Sequence, residues 1–84
     1  VSPVRAAAAQ RLASDPDPHS AKALADAAGD EKWLVRAAAI SAIAKRGDPA
    51  LASAVASRLD DENAAVRFNA AAAVVHLADQ PRRR

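Results

Sequence analysis

Two histidines, His19 and His76, are the only imidazoles in the chain, and no cysteine accompanies them. A metal site needs several ligands brought together at fixed spacing. No second ligand stands at metal spacing around either histidine. General acid–base work needs an imidazole with an orienting partner. His76 has a neighbour one helical turn on, Asp79. The plainer reading is a solvated histidine beside the negative end of a helix dipole. Ser2, Ser14, Ser20, Ser41, Ser53 and Ser57 fall in no nucleophile motif. There is no glycine-rich phosphate loop and no dinucleotide fingerprint. The sequence therefore points away from an enzyme and names no catalytic residue, no metal and no cofactor.

Charge narrows the remaining classes. The net charge is +2, and Arg82, Arg83 and Arg84 supply more than all of it. The other 81 residues sum to −1. A near-neutral body lacks the broad basic field that phosphate binding needs. No apolar run approaches the length of a membrane span, so no membrane partner is indicated. A cysteine-free chain leaves the compartment open.

The elements that position side chains are set by composition and by an internal repeat. Alanine provides 26 residues, and Val, Ile, Leu, Phe and Trp together only 17. Alanine is the best helix former and lets backbones approach closely, so thin layers of closely spaced helices are expected. The pair Val-Arg occurs at Val4-Arg5, Val35-Arg36 and Val66-Arg67, each 31 residues apart. At the same shift Asp17-Pro18 meets Asp48-Pro49, and Asp30-Glu31 meets Asp61-Glu62. Leu12, Ile43 and Val74 share a column.

Each period reads as two helices. Asp17 and Asp48 suit N-caps, with Pro18 and Pro49 at the first helical position. Those helices are expected to run to about Ala28 and Leu59. Gly29 and Gly47 suit left-handed C-terminal positions. The Val-Arg helices start after Asp30-Glu31 and after Asp61-Glu62-Asn63, where acidic residues favour the helix dipole. Val35, Ala39 and Ile43 recur at helical spacing. So do Val66, Ala70, Val74 and Leu77, and Leu51, Val55 and Leu59. The fold class is all-α: an α-solenoid of five helices, about two and a half 31-residue repeats. Residues 1–79 are expected to form the solenoid, as the C-terminal part of a longer array, and residues 80–84 a disordered basic tail.

The spacing Asp30 to Val35-Arg36, repeated at Asp61 to Val66-Arg67, and the sequence Gly47-Asp48-Pro49 resemble the HEAT-like repeats of phycobilin lyase subunits and many bacterial proteins. The resemblance covers about Val4 to Asp79. The first period departs from it, with Ser14-Asp15-Pro16 in place of a single glycine. The resemblance implies that the Val-Arg helices line a concave face. It also implies a structural ladder in which Asp30 and Asp61 accept from Arg36 and Arg67, within a repeat or across to the next.

If the regular residues hold repeats together, function belongs where the periods differ. The open side of the Val-Arg helices should carry Gln10 and Ser14, then Trp33, Ala37, Ser41 and Lys45, then Phe68, Asn69, Ala72 and His76. Trp33, Ser41, Lys45, Phe68, Asn69 and His76 are the candidate partner-binding residues. Trp33 and Phe68, the only aromatics, are possible anchors, although each also fits a packing role. The expected function is a non-catalytic protein-interaction or scaffolding module with a protein partner. One alternative is a nucleic-acid or anionic-surface binder, which requires Lys45, Arg46 and the arginine tail to converge. Another is an accessory repeat of a lyase-like enzyme complex.

Overall fold

The computed structural model describes residues 1–79, so the basic tail at 80–84 lies outside the described residues. Five α-helices follow one another: α1 (Ser2–Arg11), α2 (Pro18–Ala27), α3 (Trp33–Arg46), α4 (Ala52–Ala56) and α5 (Ala64–Ala78). Short 3₁₀ turns occupy Leu12–Ser14 and Pro49–Leu51. No strand occurs among the described residues. The chain is an all-α solenoid.

The helix starts follow from side-chain chemistry. Asp17 accepts from the His19 N–H at 2.9 Å, and Asp48 from the Ala50 N–H at 3.0 Å. Pro18 and Pro49 follow directly, where a missing N–H costs nothing. Asn63 accepts from the Ala65 and Val66 N–H groups at 2.8 and 3.3 Å. These bonds satisfy donors left open at the starts of α2 and α5 and of the 3₁₀ turn at Pro49; the α-helix expected to begin at Pro49 starts only at Ala52, without a side-chain cap.

Two expected helix ends differ from the sequence reading. Gly47 closes α3 in the left-handed conformation, φ 67° and ψ 23°. Gly29 does not adopt it. Instead the Gly29 N–H donates to the Asp26 carbonyl at 3.0 Å and the Asp30 N–H to that of Ala27 at 3.1 Å. The last turn of α2 tightens rather than reversing. The second Asp-Pro helix stops at Ala56, short of Leu59. Beyond it the Arg58 and Leu59 N–H groups reach back three residues, to Val55 at 2.9 Å and Ala56 at 3.2 Å. Ser57 Oγ also donates to the Ala54 carbonyl at 3.0 Å, which competes with helical bonding. This tighter winding carries Leu59 off the apolar stripe, and it is 44% exposed.

Helix α3 lies between α1 and α5, with α2 against α3 and α4 against α5. The Cα atoms span 42 × 27 × 14 Å. The thin dimension matches two helix layers, given axes about 9 Å apart and Cα radii of about 2.3 Å. Leu24, Val35, Ile40, Ile43, Val55 and Val66 are the largest fully buried side chains. Ala39, Ala70 and Ala73 have no exposure at all, so these alanines set a close helix approach. Val4, equivalent to Val35 and Val66 by the repeat, is instead exposed.

The two glycines should respond differently to alanine. Gly47→Ala places a Cβ in the left-handed region and should cost about 1 kcal/mol. At Gly29 an added Cβ meets only the Asp26 carbonyl oxygen, at an ordinary 3.7 Å. Gly29→Ala should therefore be neutral or stabilise by up to about 1 kcal/mol through the unfolded chain. Urea midpoints of the two variants test this; equal losses would contradict it.

Candidate interaction surface

Two features could carry function: the Asp–Arg contacts between repeats, and the open side of α3 and α5. Their geometry separates them.

In the loop before α3, Asp30 accepts from the Lys32 N–H at 2.9 Å. In the loop before α5, Asp61 accepts from the Asn63 N–H at 2.9 Å. Each carboxylate thus holds its own loop through Oδ1 and also turns both oxygens to the preceding repeat. Arg36 Nε and Nη2 donate to Asp61 at 2.8 and 2.9 Å, a bidentate pair. Arg5 Nε and Nη2 donate to Asp30 at 3.3 and 3.2 Å. The carboxylate–guanidinium register therefore runs from each arginine to the aspartate of the next repeat. Within a repeat the contact is to backbone. Arg36 Nη1 donates to the Asp30 and Glu31 carbonyls at 2.9 and 3.1 Å. Arg67 Nη1 donates to those of Asp61 and Glu62 at 2.7 and 3.1 Å.

The two pairs differ in surroundings. Arg36 and Asp61 side chains are 7% and 2% exposed, whereas Arg5 and Asp30 are 45% and 21% exposed. The Arg36 guanidinium is the main influence holding the Asp61 carboxyl below its ordinary value of 3.8, and it outweighs the upward push of burial. Asp30 is also lowered, first by the Lys32 N–H and then by Arg5. Asp15 is lowered by the Asp17 N–H and then the Ser20 hydroxyl.

On the open side, Ser41, Ala44, Asn69, Ala72, Ala73 and His76 line one groove of about 330 Å³ between α3 and α5. Three expected binding residues, Ser41, Asn69 and His76, come together there. Asn69 Nδ2 donates to the Ala37 carbonyl at 3.2 Å, which leaves its Oδ1 free of that bond. Ala37 itself was expected on the open side, yet α5 passes over it and it is buried. Trp33 and Phe68 are exposed by 47% and 74% and do not line the groove. Lys45 lies in a separate depression with Ser14, Asp15, Arg46 and Asp48.

The convergence of Lys45, Arg46 and the arginine tail expected of a nucleic-acid binder involves a tail outside the described residues; Lys45 and Arg46 share a depression, where Arg46 is engaged by backbone. Its Nη1 donates to the Leu12 carbonyl at 3.0 Å and to that of Asp15. Arg46 thereby ties the irregular end of α1 to the end of α3, where the first period has Ser14-Asp15-Pro16. Its Nε is buried without an acceptor among the described residues. His19 is exposed at the start of α2 beside Asp17, 3.0 Å from it. No three metal-ligating side chains meet among the described residues.

Sequence reasoning missed Arg5, Arg46 and Arg58 as parts of this framework. Arg58 Nη1 donates to Asp61 at 3.3 Å, three residues along its own chain. For Arg5 the signal was present: its distance to Asp30 equals that of Arg36 to Asp61, 25 residues. Arg46 carried no such signal, because its acceptors are carbonyls exposed by an irregular loop.

The family model for HEAT repeats matches residues 2–80. Comparison with curated proteins and with solved structures finds no match in either set.

Removing one partner of the buried pair should be costly: Arg36→Leu is expected to lose roughly 3 kcal/mol of stability. Arg5→Leu, at the exposed pair, should lose under about 1 kcal/mol. Asp61 is depressed in the folded state, so its contribution is complete above the ordinary value of 3.8 and is lost as pH falls below it. Urea stability should therefore decline on acidification below about pH 5. Asp61→Asn should lower stability at neutral pH and flatten that decline; an unchanged acid slope would contradict it.

Proposed function

The chain belongs to the HEAT repeat family, and we propose that it is a non-catalytic protein-interaction or scaffolding module that holds a partner along the groove between α3 and α5. The observation that carries this reading is the grouping of Ser41, Asn69 and His76 along an alanine floor. A hydroxyl, an amide and an imidazole offer donors and acceptors to an extended or helical segment. The alanines let its backbone come close. Solenoids present such surfaces as their usual binding faces. Trp33 and Phe68 are exposed aromatics outside the groove lining, and either offers an anchor to a partner that extends beyond the groove. The Asp–Val-Arg spacing also fits the narrower phycobilin lyase type. In that reading the repeat holds a substrate protein or a pigment, and the chemistry lies elsewhere. Nucleic-acid binding is weakened as a reading by the engagement of Arg46 and by Asp15 and Asp48 beside Lys45.

Ala72→Arg fills the groove at an exposed position. Tagged wild-type protein, Ala72→Arg and Ser53→Arg (on α4, away from the groove) would be compared for retained proteins by quantitative mass spectrometry. The expected result is at least one protein retained by the wild type and by Ser53→Arg and reduced about tenfold by Ala72→Arg, which corresponds to about 1.4 kcal/mol. Equal recovery of every retained protein by all three would end this reading.

A further inference from the structure

The groove between α3 and α5 constrains both the backbone form and the charge of what it holds, an inference that rests on the reading of that groove as the binding site. Asn69 supplies the first constraint. Its Nδ2 donates to the Ala37 carbonyl at 3.2 Å, which fixes the plane of the amide. Its Oδ1 meets no donor among the described residues. The groove therefore presents a fixed acceptor, and the exposed Ser41 hydroxyl lines the same groove from α3. Covering such an acceptor without supplying a donor is costly. The middle of a helix has no main-chain N–H to give, because its own turns use them. An extended segment carries an N–H and a C=O at each residue, and both need partners. The floor is Ala44, Ala72 and Ala73, so main chain and small side chains make the close contacts.

Charge supplies the second constraint. Helices α1, α3 and α5 contain no acidic residue. All ten acidic side chains lie on α2 or outside the five α-helices. Beside the groove, Lys45 follows Ala44, is exposed and makes no ion pair among the described residues. Asp15 and Asp48 line the depression next to it. Each of them accepts instead from its own loop, from the Asp17 and Ala50 N–H groups at 2.9 and 3.0 Å. Lys45 holds on α3 the repeat position that His76 holds on α5, seven residues beyond Asn69. That offset is about 10 Å along the helix axis. An extended chain covers it in about three residues.

We propose that the groove takes an extended, small-residue segment of a partner protein, which gives a main-chain N–H to Asn69 and, about three residues along, a carboxylate to Lys45. A single carboxylate needs one cation, whereas a nucleic-acid backbone needs a continuous cationic field. Asn69 and Lys45 set the specificity, and the alanines set the close approach.

The test displays two random peptide libraries against the full chain. One is linear, with proline at every third position to keep it extended. The other is an alanine-rich helix with one randomised face. Peptides whose binding is weakened by Ala72→Arg are the groove binders. They are expected from the linear library, enriched in Asp and Glu. Made as labelled synthetic peptides and followed by fluorescence anisotropy, they should bind about tenfold more weakly to Asn69→Leu and about fivefold more weakly to Lys45→Glu. A matched peptide with Lys in place of the acidic residue should prefer Lys45→Glu to the wild type. Ser53→Arg should bind as the wild type does. Circular dichroism checks that each variant keeps its helices, and Lys45→Glu carries the test if Asn69→Leu disturbs α5. Groove binders drawn from the helical library alone, or indifferent to both Asn69→Leu and Lys45→Glu, overturn the inference and leave the groove standing as a binding site. Absence of any groove binder in either library overturns the inference too, and the mass-spectrometry comparison then decides the groove by itself.

Discussion

One guanidinium, that of Arg36, holds two loops of the chain at once. Two of its nitrogens hold the Asp61 carboxylate ahead of α5, and the third holds the backbone carbonyls of Asp30 and Glu31 ahead of α3. Removing two charges from water costs several kcal/mol per ion unless every polar atom is satisfied. Asp61 meets that condition. It accepts twice from Arg36, once from Arg58 and once from the Asn63 N–H, which matches the roughly four acceptor sites of a carboxylate. The loops before α3 and α5 are thereby fixed relative to each other, and the helices that follow them inherit that placement.

This polar junction matters because the apolar contacts are small and similar. Alanine contributes little area and almost no shape. Ala39, Ala70 and Ala73 pack closely, but a stripe of methyl groups tolerates sliding by a turn. A bidentate pair does not, since it demands one distance and one plane. Close approach comes from the alanines, and register comes from Arg36 and Asp61. The few large side chains, Leu24, Ile40, Ile43 and Val55, then fill the space between the two layers.

Much of this was legible in the sequence because it repeats. Asp17 marks the start of α2, and Asp48 that of the 3₁₀ turn before α4, through local chemistry that needs no knowledge of tertiary contacts. Val35, Ile43 and Val66 mark the buried stripe through spacing. What stayed hidden depends on neighbours. Gly29 and Gly47 look equivalent, yet only Gly47 has a positive φ. The end of α4 is decided by Ser57 and the i−3 bonds of Arg58 and Leu59, and no periodicity encodes those. Ala37 falls on the open side of an isolated helix and is covered only once α5 crosses it. On the candidate surface, Ser41, Asn69 and His76 were reachable from helical spacing. Lys45 sits apart from them, in a depression that it shares with the turn after α1.

The difference between the exposed Arg5–Asp30 pair and the buried Arg36–Asp61 pair also bears on motion. Arg5 and the neighbouring Val4 are open to water, while their equivalents Arg36 and Val35 are enclosed. Helix α1 therefore rests mainly on Ala6, Ala9 and the Arg46 bonds to the turn that ends it. Local opening follows such inequalities. Amide protons of α1 should exchange with solvent through partial fraying, while those of α3 await a far larger disruption. On that expectation, nearly identical sequence units would have unequal lifetimes in the closed state.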